Sequence, residues 1–349
     1  MAKRKTLPKN FSEIVQTGDV DKIKAALSKC EPNAYSNDYY KSVALMDNNL
    51  PDEITQWLVT EYGADINYAG AYGHTALSEA AQHKPERIEL LLSLGADINF
   101  QKENSPTALI YAAMYYRIEG VKKLLEHGAD VQLTSGYSHD NALEEALSRC
   151  DNANIPDMVA LAKVLLAAGI AITPSMREKV TRIGTNFEFY RDSFNPEYLD
   201  ETDAALQELY QIFDVPPVPR LQKYVGSAPI SVKGETWTEQ YNELWDMLVP
   251  GTGAAKFVQG EVIRIVGRLR HEILDNGGMN WDADFRAMRN HLAVLMADGK
   301  AADETTLRKI KSVSPRVDES ILDEITEAAV KWILDNPDPM ELGEVPYNR

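Results

Sequence analysis

Tyr62-Gly63-Ala64-Asp65-Ile66-Asn67 is echoed further on by Leu94-Gly95-Ala96-Asp97-Ile98-Asn99. The word returns as His127-Gly128-Ala129-Asp130-Val131 and, worn, as Ala168-Gly169-Ile170-Ala171-Ile172. The glycines are 32, 33 and 41 residues apart, and self-similarity at such a period marks a stacked repeat. A second word sits between them: Gly73-His74-Thr75-Ala76-Leu77, Ser105-Pro106-Thr107-Ala108-Leu109 and Asp140-Asn141-Ala142-Leu143. Ala80-Ala81 and Ala112-Ala113 follow the first two at the same offset.

The period has a physical reading. Leu77, Ala80 and Ala81 make an apolar face on one short helix, and Ile88, Leu91 and Leu92 make one on a second. Small alanines let two antiparallel helices approach closely. The glycine after each leucine pair suits a left-handed C-cap. Ala-Asp-Ile-Asn then leaves the helix, and its Asp and Asn side chains can bond their own backbone in a turn. Thr75 and Thr107 stand where an N-cap is needed.

These words resemble the ankyrin repeat, whose period is about 33 residues and whose signature is Thr-Pro-Leu-His. Here Ala76 and Ala108 replace the proline, and Ser78 and Ile110 replace the histidine. An N-terminal half-repeat runs from Phe11 to Leu27, with Gly18 at its turn, and Ser42 to Asn67 makes a full repeat. The resemblance covers residues 11–172, as four to five repeats of which the first is partial. The usual inter-helix glycine gives way to His83 and to Tyr116, and Cys150 to Pro156 reads as an insertion. The resemblance implies a solenoid that binds proteins through hairpin tips and first helices and does no chemistry itself. The expected tip residues are Tyr68, Tyr72, Phe100, Lys102, Glu103 and Tyr137. Tyrosine is enriched at interfaces because it offers large area at low entropy cost.

Beyond residue 172 the words fade. Residues 173–214 read as capping helices, which an array needs to cover its last apolar face. Val215-Pro216-Pro217-Val218-Pro219 opens a Pro-rich connector, 215–234. Residues 235–335 hold four of the five tryptophans and read as a helical domain. Its longest helix runs from Ala254 to Leu274. There Val258, Val262, Ile265, Val266, Leu269 and Ile273 form an apolar stripe. Gly260 and Gly267, seven residues apart, lie on one side, where another helix can come close. Gln259, Glu261, Arg264 and Arg268 read either as a structural network or as a binding face. The segment from Leu248 to Trp281 resembles a small helical module of bacterial proteins, some of them encoded near toxin–antitoxin or polymorphic-toxin loci. No catalytic motif is established for that module. The expected fold class is all-α, an ankyrin-repeat solenoid followed by a separate C-terminal helical domain.

Composition narrows the function. The chain has 349 residues, 44% hydrophobic and 26% charged, which is ordinary for a globular protein. Its net charge of −17 argues against direct nucleic-acid binding and favours a basic protein partner. Residues 51–100 carry eight acidic and two basic side chains. No apolar run reaches the roughly 18–20 residues of a membrane helix, and the basic N-terminus lacks a secretory apolar core. Two cysteines, Cys30 and Cys150, fit a reducing cytoplasm and exclude a disulfide framework.

Chemistry is sparse. The six histidines show no metal spacing, and no phosphate loop, nucleotide fingerprint or serine elbow occurs. Asp275 to Arg286 fails as a calcium loop, with Asn280 at the glycine position and Arg286 at the glutamate position. Glu261 and Glu272 are eleven residues apart, roughly 16 Å by helix rise, too far for a glycosidase pair. His271 beside Glu272 is a weak acid–base candidate. The expectation is a non-enzymatic binding protein without cofactor or metal, an immunity-type inhibitor or adaptor. The alternative is an array that targets a C-terminal domain with its own activity or with an oligomerising role, a bacterial effector among the cases.

Overall fold

The computed structural model describes residues 2–136 and 138–349. They form two compact units. The first holds residues up to 184 together with 200–217, and the second holds 185–199 together with 218–349.

The first unit opens with β1 (Arg4–Thr6), which pairs in parallel with β2 (Cys30–Tyr35). A parallel pair needs a long crossover, and α1 (Phe11–Gln16) and α2 (Val20–Leu27) supply it. This small sheet is absent from the sequence reading. The half-repeat itself is present, with Gly18 left-handed at φ 66° between its two helices.

The next repeat keeps its second helix, α3 (Asp52–Thr60), but its first shrinks to a single 3₁₀ turn, Ala44–Met46. The cause is local. The Asp47 carboxylate accepts the Asn49 N–H at 2.9 Å, and Pro51 steers the residue before it away from the helical region.

Full helix pairs follow: α4 (Ala76–His83) with α5 (Ile88–Ser93), α6 (Ala108–Met114) with α7 (Ile118–Glu126), and α8 (Ala142–Arg149) with α9 (Ile155–Ala167). The N-caps are where the sequence puts them. Thr75 accepts from the Ser78 N–H, Thr107 from the Ile110 N–H, and Asn141 closes a capping box with Glu144. Leu77, Ala80, Ala81, Ile88 and Leu91 are all buried, as are Leu109, Ala112 and Ala113. The Cys150–Pro156 insertion is a short turn in which Asp151 accepts the Ala153 and Asn154 N–H groups, and it feeds the longer α9.

Tyr116 takes the left-handed conformation of the missing glycine, at φ 55°. Its hydroxyl donates to the Ala146 carbonyl at 2.9 Å, which offsets part of the steric cost.

The helices α10 (Pro174–Tyr190) and α11 (Pro196–Phe213) each contribute residues to both units. Residues 185–199, read from sequence with the capping helices, group with the second unit.

That unit is built from α12 (Trp237–Leu248), α13 (Val258–Arg270), α14 (Ala283–Leu295), α15 (Glu304–Ser312) and α16 (Glu319–Asp335). Its core gathers Leu244, Val262, Ile265, Leu269, Met288, Leu292, Ile325 and Ile333. Gly260 and Gly267 do allow a close approach. A Cβ on Gly260 would stand 2.8 Å from the Leu248 carbonyl oxygen, and one on Gly267 2.6 Å from the Tyr241 hydroxyl. The last residues wind back over α13. Val258 N–H donates to the Met340 carbonyl at 2.8 Å, and Leu342 N–H to that of Lys256 at 3.1 Å. The sequence reading ended this domain at 335, but residues 336–349 group with the same unit. Among the described residues, no helix is long and apolar enough to cross a membrane.

Candidate protein-docking surface

The exposed aromatic residues of the first unit converge on one place. An Asp38 carboxylate oxygen accepts the Tyr40 and Lys41 N–H groups at 2.9 Å each and the Ser36 hydroxyl at 2.8 Å. This tight turn pushes Tyr39 and Tyr40 outward, with 75% and 61% of their surface exposed. The Ala71 N–H donates to the Tyr40 carbonyl at 2.9 Å, which brings the next tip alongside. Tyr72 completes the cluster. Its ring centroid is 5.1 Å from that of Tyr39 and 6.1 Å from that of Tyr40. Hydrogen bonding with the Tyr39 hydroxyl pushes the Tyr72 phenol up to about 12.

The cluster stands on a built support. The Tyr111 hydroxyl donates to the Tyr72 carbonyl at 2.5 Å, and the Tyr111 ring stacks on His74 at 4.2 Å. A groove of about 440 Å³ opens beside it, lined by Tyr40, His74, Glu79, His83, Tyr115 and Arg117 among others. Glu79 sits between the two histidines, 3.0 Å from His74 Nδ1 and 3.9 Å from His83 Nε2. Tyr115 is 47% exposed. Rings with a wet hydroxyl and an apolar face are suited to a partner's surface.

The charge of residues 51–100, the stretch that holds Tyr72, is one-sided. Of the eight carboxylates in residues 51–100, seven are exposed and Glu79 is half-buried. Of the two cations, Arg87 is buried and serves the fold. It donates to the Asp47 carbonyl at 2.7 Å and to the Thr55 hydroxyl at 2.9 Å. Burial pulls its guanidinium below the ordinary value. Lys84 is left as the one cation of that stretch outside the core.

The tip residues expected from sequence separate into groups. Tyr72 is in the cluster. Lys102 and Glu103 are exposed on a neighbouring tip, where Glu103 is left-handed at φ 54° and the Lys102 N–H donates to the Ser105 hydroxyl at 2.9 Å. Tyr68 and Phe100 are half-buried, outside the three-ring cluster. Tyr137 lies outside the described residues. Tyr39, Tyr40 and Tyr115 were missed. The available signal was two adjacent tyrosines in a loop rich in Ser, Asn and Asp, Ser36 to Lys41.

In the second unit, Gln259, Glu261 and Arg264 are 0%, 0% and 2% exposed and offer no face to a protein partner. They hold the returning tail instead. The Gln259 amide donates to the Asn336 and Asp338 carbonyls at 2.9 and 2.7 Å. Glu261 accepts from Arg264 at 2.6 and 2.8 Å, from the Tyr347 hydroxyl at 2.6 Å and from the Ala255 N–H at 2.8 Å. Burial raises the Glu261 carboxyl, but these donors together outweigh it and hold it below the ordinary value. A polar stripe on a helix reads as solvated until a tail folds over it. Arg268 alone of the four is exposed, on a cleft of about 640 Å³ between α12 and α13.

A family model described as ankyrin repeats (3 copies) matches residues 41–135 and again residues 79–173. Ankyrin repeat and SOCS box protein 6 of Pongo abelii is 34% identical over 96 residues, which are 25% of this chain and 22% of that protein. The Homo sapiens protein of the same name is 33% identical over 96 residues, with the same shares covered. An ankyrin repeat protein of Acanthamoeba polyphaga mimivirus is 30% identical over 87 residues, 23% of this chain and 53% of the viral one. The chain thus spans 22% of the length of the SOCS-box relatives and 53% of the viral protein. Paired helices, capped where the repeated words require, coincide with the matched residues. Residues 41–173 of this chain are an array of ankyrin repeats, a fold that indicates protein–protein interaction.

Proposed function

We propose that the array docks a basic protein and that the chain acts without catalysis, as an inhibitor of the immunity type or as an adaptor in a bacterial cytoplasm. The observation that carries this reading is the exposed three-ring cluster of Tyr39, Tyr40 and Tyr72 on an array whose residues 51–100 expose seven carboxylates. Tyrosines anchor the contact, and the acidic surface steers encounter. Charge reversal at Glu86 and Glu89, both exposed, tests the steering. The on-rate should fall and lose part of its salt dependence. An on-rate unchanged at low salt contradicts steering.

The cleft of the second unit favours a second reading, in which the C-terminal helices carry an activity or drive self-association while the array targets them. An effector acting on host proteins is one form of it. Sedimentation of the full chain with Arg268→Ala would separate the two forms, since only an oligomerising face changes the mass.

A further inference from the structure

The cleft between α12 and α13 is lined wholly by residues of the second unit. Its charge runs against that of the chain. Three arginines line it, Arg264, Arg268 and Arg349, against one lining carboxylate, Glu272, in a protein of net charge −17; Glu261 and Asp282, behind the lining, pair with Arg264 and Arg349. Glu272 is already spoken for. It accepts the Asn280 N–H at 2.5 Å, the Asn280 amide at 3.1 Å and the Asn276 amide at 3.2 Å.

The arginines are not satisfied to the same degree. Arg264 is 2% exposed; its Nε and Nη2 go to Glu261, and Nη2 also to the Arg349 carbonyl at 3.0 Å. Its Nη1 is buried and has no hydrogen-bond partner. An orphaned guanidinium N–H in the interior is costly, and what it lacks is an acceptor. Arg268 makes no hydrogen bond or ion pair to any described residue. Burial, followed by the nearby Arg264 and Arg349, pulls its guanidinium below the ordinary value and outweighs the opposing pull of Tyr190 and Glu261.

Part of the lining is aromatic. Phe189 stacks with Trp245 at 6.0 Å and an interplanar angle of 14°, and Tyr241 packs against Trp245 at 6.0 Å. Tyr190 meets Phe189 edge-on at 5.0 Å and is 37% exposed. Opposite in character, Phe285 carries the Arg349 guanidinium over its face at 4.6 Å.

We propose that this cleft binds a small ligand with a phosphate monoester attached to a planar ring system, the nucleoside-monophosphate class. The phosphate sits on Arg268, with the unpartnered Nη1 of Arg264 behind it, and the ring lies along the aromatic wall. Acceptor number favours phosphate over carboxylate. Arg264 is paired with Glu261 and Arg349 with Asp282, which leaves Arg268 as the lining arginine without an ion pair. A phosphate monoester brings three acceptor oxygens and about −1.5 to −2 of charge at pH 7, enough to bond Arg268 through two oxygens and keep one for the unpartnered Arg264 N–H. The cleft of about 640 Å³ lies within the usual range for such ligands, roughly 300–1,000 Å³. No nucleotide fingerprint is readable in the sequence because the groups come from separated segments. The site does not depend on the docking role of the array.

The test uses the full chain and the four ribonucleoside 5′-monophosphates, with inorganic phosphate, the matching nucleosides and benzoate as comparators. Calorimetry gives affinity, and tryptophan fluorescence reports at Trp245. At least one monophosphate should bind about tenfold tighter than inorganic phosphate and than its own nucleoside. Arg268→Gln, at an exposed position, should weaken it about tenfold or more, and Tyr190→Ala should weaken the monophosphate but not inorganic phosphate. Absence of binding by every monophosphate at about millimolar concentration overturns the proposal. So does equal affinity in Arg268→Gln, or benzoate binding as tightly as the best monophosphate.

Discussion

The side-chain oxygen of Asn67 accepts the backbone N–H of Asp97 at 2.8 Å, and the same bond recurs along the array. Asn33 accepts from Asp65 at 2.9 Å and Asn99 from Asp130 at 2.9 Å. Within each word the Asp side chain takes the N–H two residues on: Asn67, Asn99 and Gln132, each at 2.9 Å. The repeated Asp and Asn therefore do different jobs. One closes the turn inside a repeat, and the other stitches it to the next. Asn67→Ala should cost about 1 kcal/mol in denaturant unfolding of the chain. Unchanged stability would mean that water replaces the stitch at no cost.

Gly267 is set against the ring of Trp245 and the hydroxyl of Tyr241. Gly267→Ala should destabilise the second unit by about 1–3 kcal/mol through overpacking, although alanine is the better helix former. The same substitution at exposed Gly253, which has open space around it but a φ of 76°, strains the backbone without any packing clash. Near-UV circular dichroism should show a disturbed Trp245 only for the first.

The Tyr347 hydroxyl donates to Glu261 at 2.6 Å inside the tail clamp. Tyr347→Phe removes a donor to a buried, ionised carboxylate and should cost about 2 kcal/mol. Hydrogen exchange should show residues 336–349 opening before the rest of the second unit. Protection equal to that of the native chain would mean that the tail is held by its backbone bonds alone.

Acid should act on the same clamp. Glu261 and Glu272 are both lowered from an ordinary value of 4.5, with burial opposing and hydrogen bonds prevailing. A carboxyl lowered in the folded state contributes stability that is complete above its unfolded value and is lost as pH falls through the folded value. The second unit should therefore weaken below about pH 4.5. The stability gap between the native chain and Glu261→Gln should narrow as pH falls, and thermal melts across that range check it. A gap independent of pH would remove Glu261 from the account.

Much of the array was legible because its signals are local and repeated. Thr75, Thr107 and Asn141 cap the helices they precede, and Leu77, Ile88 and Leu109 point inward as their spacing implies. Two things were not legible. β1 pairs with a segment beyond two helices, and nothing in Arg4–Thr6 by itself announces that partner. Gln259, Glu261 and Arg264 sit at helical spacings that suit a solvated stripe, and only the return of residues 336–349 makes them interior. The docking surface was half legible for a similar reason. Tyr72 was found on its tip, whereas Tyr39 and Tyr40 join it through the Asp38 turn and the bond from Ala71 to Tyr40.

The central claim is that the tyrosine cluster is the anchor of a protein interface steered by charge. The direct measurement is paired affinity capture from the native lysate, with the full chain and its Tyr39→Ala/Tyr72→Ala variant, at low and high salt, read by mass spectrometry. Both tyrosines are exposed, so the fold should survive the change. The account predicts one dominant basic protein, held by the native chain at low salt, reduced at high salt and lost from the variant. Equal recovery of the same partner by both chains, or a dominant acidic partner insensitive to salt, would contradict it.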